Sequence, residues 1–170
     1  MSPAAKVNVL FLCTGNSARS ILGEYLLRHL AGHRFATASA GSDPTGVVNP
    51  LAREVLGEGF GIDTRDARSK NVSTLTDESF DLVFTVCDHA REHCPIFPGA
   101  ATRIHWGMPD PAAQTGPREV RRKAFEDTAA ALYQALEALV SLPVESLDPV
   151  VLKRRLQALA PSGAAAAVLP

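Results

Sequence analysis

The feature that most constrains this chain is the stretch from Val7 to Ser20. An apolar run from Val7 to Leu12 ends in Cys13, and Arg19 follows six residues later at the start of a helical apolar pattern. This order predicts a buried strand, a tight turn and a helix. Backbone N–H groups in such a turn can point into one concavity, where the helix dipole also favours negative charge. The turn therefore suits a tetrahedral oxyanion.

Cys13 would lie at the bottom of this concavity, where the field that holds an anion also stabilises a thiolate, the nucleophilic form of cysteine. Arg19 offers a planar fork that can bind two oxygens of the anion. The alternative is a buried cysteine at a strand end and an arginine at a helix start that never meet. The residues expected to bind the oxyanion are Thr14, Gly15, Asn16, Ser17, Ala18, Arg19 and Ser20.

The rest of the chain alternates between strand and helix patterns. Strands are predicted at 7–13, 34–40, 80–87 and 102–106, and helices at 19–31, 49–56 and 118–140. This alternation predicts an α/β fold: a four-stranded parallel sheet with helices on both faces and ligands at the carboxyl ends of the strands. Cys13, Cys87 and Trp106 all lie at predicted strand ends, so one edge of the sheet could collect them.

Length and composition exclude several classes of function. A chain of 170 residues with 46% hydrophobic residues can form one domain with a single core. A net charge of -1 argues against a nucleic-acid or membrane-surface protein. No apolar run could span a bilayer, and residues 1–6 lack the apolar core of a signal peptide, which predicts a cytoplasmic protein. In that reducing compartment the three cysteines are expected to be catalytic or redox-active, and no cofactor or metal is expected.

Two of the cysteines, Cys87 and Cys94, follow a predicted core strand and are seven residues apart. In a helix they would be separated by roughly 10 Å between Cα atoms, whereas a disulfide needs about 7 Å or less. The pair could therefore close only if the segment unwinds, which Pro95 and Pro98 favour. This predicts a redox relay with a conformational change. Two alternatives are simple packing of both thiols and a zinc site, for which the candidate ligands are Cys87, His89, His93 and Cys94.

Asp110 lies between Pro109 and Pro111 in a loop that follows the last predicted strand. If this loop overhangs Cys13, Asp110 can protonate the oxygen that leaves when the thiolate attacks. Taken alone, an Asp-Pro pair is more often a turn former or a helix cap. Only its combination with the Cys13 loop favours an acid.

The segment from Cys13 to Ser20 resembles the active-site loop of the low-molecular-weight tyrosine phosphatases, and more closely that of the arsenate reductases that share their fold. The phosphatases place an aromatic residue after the Asp-Pro, where this chain has Ala112, and a second cysteine in the loop, where it has Ala18. Similar arsenate reductases carry three further features over roughly residues 6–140. This chain has all three: Cys13 to Ser17, Cys87 with Cys94-Pro95, and His105-Trp106-Gly107.

The resemblance implies reduction of arsenate to arsenite, with phosphate or sulfate as competing oxyanions. Cys13 would attack arsenic, Arg19 would hold the oxyanion and Asp110 would protonate the departing oxygen. Cys87 would then attack the Cys13 sulfur and form a disulfide with it. Cys94 would next attack Cys87, which leaves an exposed Cys87–Cys94 disulfide for thioredoxin to reduce. A glutathione- or mycothiol-linked reductant stays open. Two other functions also stay open: a phosphomonoesterase that uses Cys13, Arg19 and Asp110 alone, and a metal or redox-sensing module at 87–94.

Some reductases of this kind bind potassium near the loop with residues that match Asn16, Glu24 and Ser39, together with an acid. The place of that acid falls on Lys70 here. The hypothesis is that the Lys70 ammonium lies beside Glu24 and replaces the ion, so that the enzyme is insensitive to potassium. The alternative is an ordinary surface lysine.

The resemblance ends near residue 142, so the chain is divided into a phosphatase-like domain at 1–142 and a helical extension at 143–170. Asp148-Pro149 predicts a helix start, and the helix is expected to reach about Ala160. It could pack on the domain or on a second subunit. The alanine-rich residues 161–170 are expected to fray unless they dock.

Overall fold

The computed structural model describes residues 5–92 and 101–161. The strands are β1 (Val7–Cys13), β2 (Phe35–Gly41), β3 (Leu82–Thr85) and β4 (Thr102–His105). They form one parallel sheet in the order β2-β1-β3-β4, which confirms the predicted α/β fold. The helices are α1 (Arg19–Ala31), α2 (Pro50–Glu54), α3 (Asp88–Glu92), α4 (Arg118–Val140) and α5 (Pro149–Ala158). None of the helices in the described ranges has both the length and the apolarity to cross a bilayer.

The two central strands are covered on both faces. Residues 9–13 of β1 and all four residues of β3 are buried, although neighbouring side chains on a strand point to opposite faces. Helix α1 packs on β1 and β2 and also against α4, while α5 packs on β4. These helices leave the carboxyl edge of the sheet to the connecting loops.

Aromatic rings form the centre of the core and link it to the last helix. The rings of Phe11 and Phe84 stack at 5.2 Å, and Trp106 lies 4.5 Å from Phe84 between ring centroids. The buried indole Nε1 of Trp106 donates to the carbonyl of Leu156 at 2.8 Å, which satisfies its polar group. Helix α5 is therefore tied to the sheet by a hydrogen bond as well as by packing.

Some predicted boundaries differ from the structure by one or two residues: the strands predicted at 34–40 and 80–87 are Phe35–Gly41 and Leu82–Thr85. Helices α1 and α4 begin and end as predicted, and Asn49 caps α2 by accepting from the Leu51 N–H at 2.9 Å. Helix α2 then widens into a π-helical turn over Val55–Gly59. The helical spacing of Val120 from Ala124 predicts that it lies on the apolar face of α4, but Val120 is 45% exposed because it lies in the first turn, before the core contacts that begin at Phe125.

Arg34 joins the start of β2 to the end of α4. Its guanidinium donates to the carbonyl of Val140, in the last turn of α4, at 2.6 Å, and to that of Leu142, which also accepts from the Val144 N–H, at 3.1 Å. The same fork makes two bonds of 2.8 Å to the carboxylate of Glu145. These bonds from Arg34 lower the pKa of Glu145 to about 2.

We expect Arg34→Ala to lower the free energy of unfolding by about 1–3 kcal/mol, because it removes charged hydrogen bonds to two helix-end carbonyls. Glu145→Gln should cost less than about 1 kcal/mol, since this carboxylate is half exposed and screened. Urea unfolding at neutral pH measures both changes.

The pH dependence of the Glu145→Gln effect follows from the depressed pKa of Glu145. The stabilisation that the Glu145 carboxylate provides is fully present above pH 4.5, the ordinary pKa of this side chain, and is lost as the pH falls towards about 2. The difference between wild type and Glu145→Gln should therefore shrink between pH 6 and pH 3. A difference that is constant over this range would contradict the assignment.

Candidate active site

The turn between β1 and α1 is held from outside by the segment that follows β2. Backbone N–H groups of Ser42, Asp43 and Thr45 donate to the carbonyls of Cys13, Thr14 and Gly15 at 3.2, 2.9 and 3.0 Å. The turn carbonyls are thus directed away from its concave side, which is what a loop must do if its N–H groups are to bind an anion.

Cys13 is 4% exposed and its sulfur has two hydrogen-bond partners. The backbone N–H of Asn16 donates to Sγ at 3.1 Å, and the Ser20 hydroxyl lies 2.8 Å from Sγ. Asn16 has a φ of +45°, in the left-handed region that asparagine tolerates better than most residues. This conformation aims its amide back at the sulfur.

The buried side chain of Asn16 orders the hydrogen bonds behind Cys13. Its Nδ2 group donates to Ser20 Oγ at 2.8 Å and to Ser39 Oγ at 3.0 Å. Since Ser20 accepts from Asn16, its own hydrogen is available for the Cys13 sulfur. Ser39 in turn donates to Glu24 at 2.5 Å. A directed chain of donors therefore runs from Asn16 to the nucleophile.

The cation beside Glu24 is Arg28, not Lys70, so the hypothesis about the Lys70 ammonium is wrong. Arg28 Nη2 lies 2.5 Å from Glu24 Oε2, and Ser39 occupies Oε1. Lys70 Nζ lies 3.5 Å from the carbonyl of Arg68, while its backbone N–H donates to Asn16 Oδ1 at 2.9 Å. The pairing of Glu24 and Arg28, four residues apart on α1, is a signal the sequence does contain.

Potassium does not fit this set of residues. Both carboxylate oxygens of Glu24 are engaged at 2.5 Å, and the partner at Oε2 is a guanidinium. A cation placed next to Arg28 would meet a like charge, and position 70, where the resemblance implies an acid, carries a lysine. Arg28 therefore supplies the positive charge at this position.

Arg19 is the first residue of α1, and its side chain is 14% exposed. Nη1 donates to the carbonyl of Met108 at 2.8 Å, a contact that sequence analysis missed because nothing in the chain marks a backbone acceptor. Within the described ranges Nε is buried without a hydrogen-bond partner. Such a group is costly, so Nε is a donor suited to an incoming oxyanion.

Asp110 caps a short turn, as its Asp-Pro context suggested, and also faces Arg19. Oδ1 accepts from the backbone N–H of Ala112 at 2.9 Å and caps the short turn over Pro111–Ala113. Oδ2 faces Arg19, 3.8 Å from Nη2. One oxygen thus fixes the loop and leaves the other facing the Arg19 guanidinium.

Cys87 lies beside the turn between β1 and α1. Its Sγ is 3.4 Å from Thr14 Oγ1 and accepts from the Ala90 N–H at 3.3 Å, and the residue is 8% exposed. Cys13 and Cys87 are both free thiols. Cys94, the second relay cysteine, lies outside the described residues. A cavity of about 430 Å³ is lined by Arg19, Cys87, Asp88, Gly107, Met108 and Pro109.

Comparison with known proteins shows which family this chain belongs to. The sequence profile of the low molecular weight phosphotyrosine protein phosphatases matches residues 8–151. The chain belongs to this family. An arsenate reductase of Shouchella clausii is 36% identical over 122 residues, covering 72% of this chain and 86% of that protein.

Solved structures of the family include both enzyme types. A low molecular weight protein tyrosine phosphatase from T. tengcongensis matches with a TM-score of 0.64 at 27% identity, over 79% of this chain and 98% of that one. A thioredoxin-dependent arsenate reductase of Corynebacterium glutamicum matches with a TM-score of 0.57 at 27% identity, over 81% of this chain and 65% of that one. The shared fold therefore does not separate the two activities.

We expect Ser20→Ala to slow alkylation of Cys13 by iodoacetamide about tenfold at neutral pH, since a thiolate would lose one of two donors. The measurement uses Cys87→Ser/Cys94→Ser protein, so that only Cys13 reacts. Ser73→Ala, a change at an exposed serine of the 72–75 turn, is the control and should have no effect. An unchanged rate in Ser20→Ala would contradict the donor chain.

Proposed function

We propose that this protein reduces arsenate to arsenite with electrons from its own thiols. The observation that carries the proposal is the position of Cys87, whose sulfur lies 3.4 Å from the hydroxyl of Thr14, the residue next to Cys13. A hydrolase built on Cys13 needs no second thiol there. The relatives named arsenate reductase support the same conclusion.

In the first step the Cys13 thiolate attacks arsenic(V) and forms a sulfur–arsenic bond. One arsenate oxygen leaves as water after Asp110 donates a proton to it. Arg19 binds the remaining arsenate oxygens through Nε and its outer nitrogens. The positive guanidinium stabilises the negative charge that develops on these oxygens. This step moves no electrons to arsenic.

In the second step the Cys87 thiolate attacks the sulfur of Cys13. A disulfide forms, the sulfur–arsenic bond breaks and its electron pair stays on arsenic, which leaves as arsenite. The two thiols lose two electrons and arsenic gains two, so the step balances. Phosphate cannot take this route, but it binds the same turn and should compete, as should sulfate.

In the third step Cys94 attacks Cys87 and frees Cys13, which leaves a Cys87–Cys94 disulfide for an external reductant. Thioredoxin is the expected donor, and a glutathione- or mycothiol-linked thiol is the alternative. A cycle of this kind needs a reducing compartment, which supports a cytoplasmic location. The zinc alternative would use Cys87 and Cys94 as ligands and would block this step.

A phosphomonoesterase that uses Cys13, Arg19 and Asp110 is the second candidate, and membership of the phosphatase family favours it. Ala112 argues against an aromatic phosphoester, because it offers no ring to stack on the substrate. We therefore expect any phosphatase activity to be weak.

The relay is tested by arsenate-dependent consumption of thioredoxin-reducing equivalents. We expect Cys87→Ser and Cys94→Ser each to lower multiple-turnover activity by at least about a hundredfold, because each interrupts the path of the electrons. Cys94→Ser should still release one arsenite per enzyme and stop at the Cys13–Cys87 disulfide, which mass spectrometry would detect.

Inorganic phosphate should still protect Cys13 from alkylation in both serine variants, which shows that the oxyanion site is intact. Full turnover in either variant would contradict the relay. Absence of arsenate reduction in the wild type, together with phosphoester hydrolysis, would favour the second candidate.

We expect kcat/KM for arsenate to change by less than about 1.5-fold when sodium replaces potassium at equal ionic strength, because Arg28 already neutralises Glu24. Lys70→Ala should leave this insensitivity unchanged, whereas Arg28→Ala should lower activity by removing the charge. A several-fold rise with potassium in the wild type would refute the assignment.

A further inference from the structure

His105 is the last residue of β4 and is followed by Trp106 and Gly107, and the reaction described above uses none of these three residues. His105 lies at the carboxyl end of the sheet, opposite Thr85 in the register between β3 and β4. Its ring makes two hydrogen bonds. Nδ1 lies 2.9 Å from Thr85 Oγ1, and Nε2 lies 3.0 Å from Asp88 Oδ1.

These two bonds bridge the turn that carries Cys87. Thr85 is the last residue of β3 and is 5% exposed, whereas Asp88 is the first residue of α3 and directly follows the cysteine. A neutral imidazole with its hydrogen on Nε2 satisfies both contacts, accepting from Thr85 and donating to Asp88. The ring thus connects a rigid strand to the turn that holds the sulfur.

Gly107 provides the space for this ring. A Cβ atom at position 107 would lie 2.8 Å from His105 Nε2, closer than side chains pack, so any larger residue would displace the imidazole. The displaced atom is the far end of a side chain, so the fold itself could tolerate the change. Trp106 holds the backbone between them, because it is fully buried and bonded to Leu156.

We propose that His105 is a positioning residue for Cys87. The proposal rests on the proposed function, since it concerns the attack of Cys87 on the Cys13 sulfur. The clasp formed by His105, Thr85 and Asp88 fixes the first turn of α3, which sets the Cys87 sulfur beside Thr14. Without the clasp, Asp88 and the turn can move, and the sulfur spends less time within reach of Cys13.

The first test uses the Cys94→Ser protein, in which a single turnover ends at the Cys13–Cys87 disulfide. We expect His105→Asn and Asp88→Ala each to slow arsenite release about tenfold, as loss of a hydrogen bond to a charged group predicts. The double variant should be no slower than either single variant, because both remove the same contact. In His105→Asn the arsenate concentration at half-maximal rate should not change, because His105 does not line the cavity.

Two variants separate the clasp from a general effect of charge or structure. Asp88→Asn keeps an oxygen that can accept from His105 Nε2, so it should retain the rate within about twofold. Glu92→Ala removes an exposed acid from the same helix and should have no effect. Additive losses in the double variant, or an Asp88→Asn rate as low as that of Asp88→Ala, would overturn the proposal.

The second test does not depend on arsenate. Amide hydrogen exchange over residues 88–92 of the reduced protein should be faster in His105→Asn, in Asp88→Ala and in Gly107→Ala, while exchange in β1 stays unchanged. Unchanged exchange at 88–92 in all three variants would overturn the clasp. If the Cys94→Ser protein releases no arsenite, the relay fails, and the exchange data alone decide whether the clasp exists.

Discussion

The whole site depends on one buried side chain, that of Asn16. The residue has no exposed surface and adopts a left-handed backbone conformation, which lets its N–H reach the Cys13 sulfur while its side chain points into the protein. Both amide hydrogens and the amide oxygen then have partners, on Ser20, Ser39 and Lys70. An asparagine with all its polar atoms satisfied has one stable orientation, so the loop has one shape.

The parallel sheet explains why the remaining groups meet at that loop. Adjacent parallel strands end at the same edge, and here Cys13, Thr85 and His105 occupy that edge on β1, β3 and β4. Cys87 and Asp110 follow those strand ends by a few residues, so short connections suffice to place Cys87 beside Thr14 and Asp110 beside Arg19. Arg19 connects the two sides, since its guanidinium contacts the Met108 carbonyl as well as facing Asp110.

Local patterns allowed much of this to be predicted. The bounds of α1 and α4 followed from apolar spacing, and the caps at Asn49 and Asp148 followed from the Asn-Pro and Asp-Pro pairs. The exposure of Val120 could not be predicted, because helical periodicity does not indicate where a helix extends past its core. The wrong placement of Lys70 has a similar origin, since counting along the chain does not reveal where a side chain points.

By itself the sequence determined the chemistry of the turn and the class of fold. Cys13, Arg19 and the glycine and polar residues between them are contiguous, and contiguous residues obey local rules of strand, turn and helix. Only the tertiary structure decided which distant groups meet around that turn: the Met108 carbonyl on Arg19, the Thr14 hydroxyl at Cys87, and the His105 ring on Asp88. Those contacts depend on the packing of helices and loops around the sheet, which residue spacing does not encode.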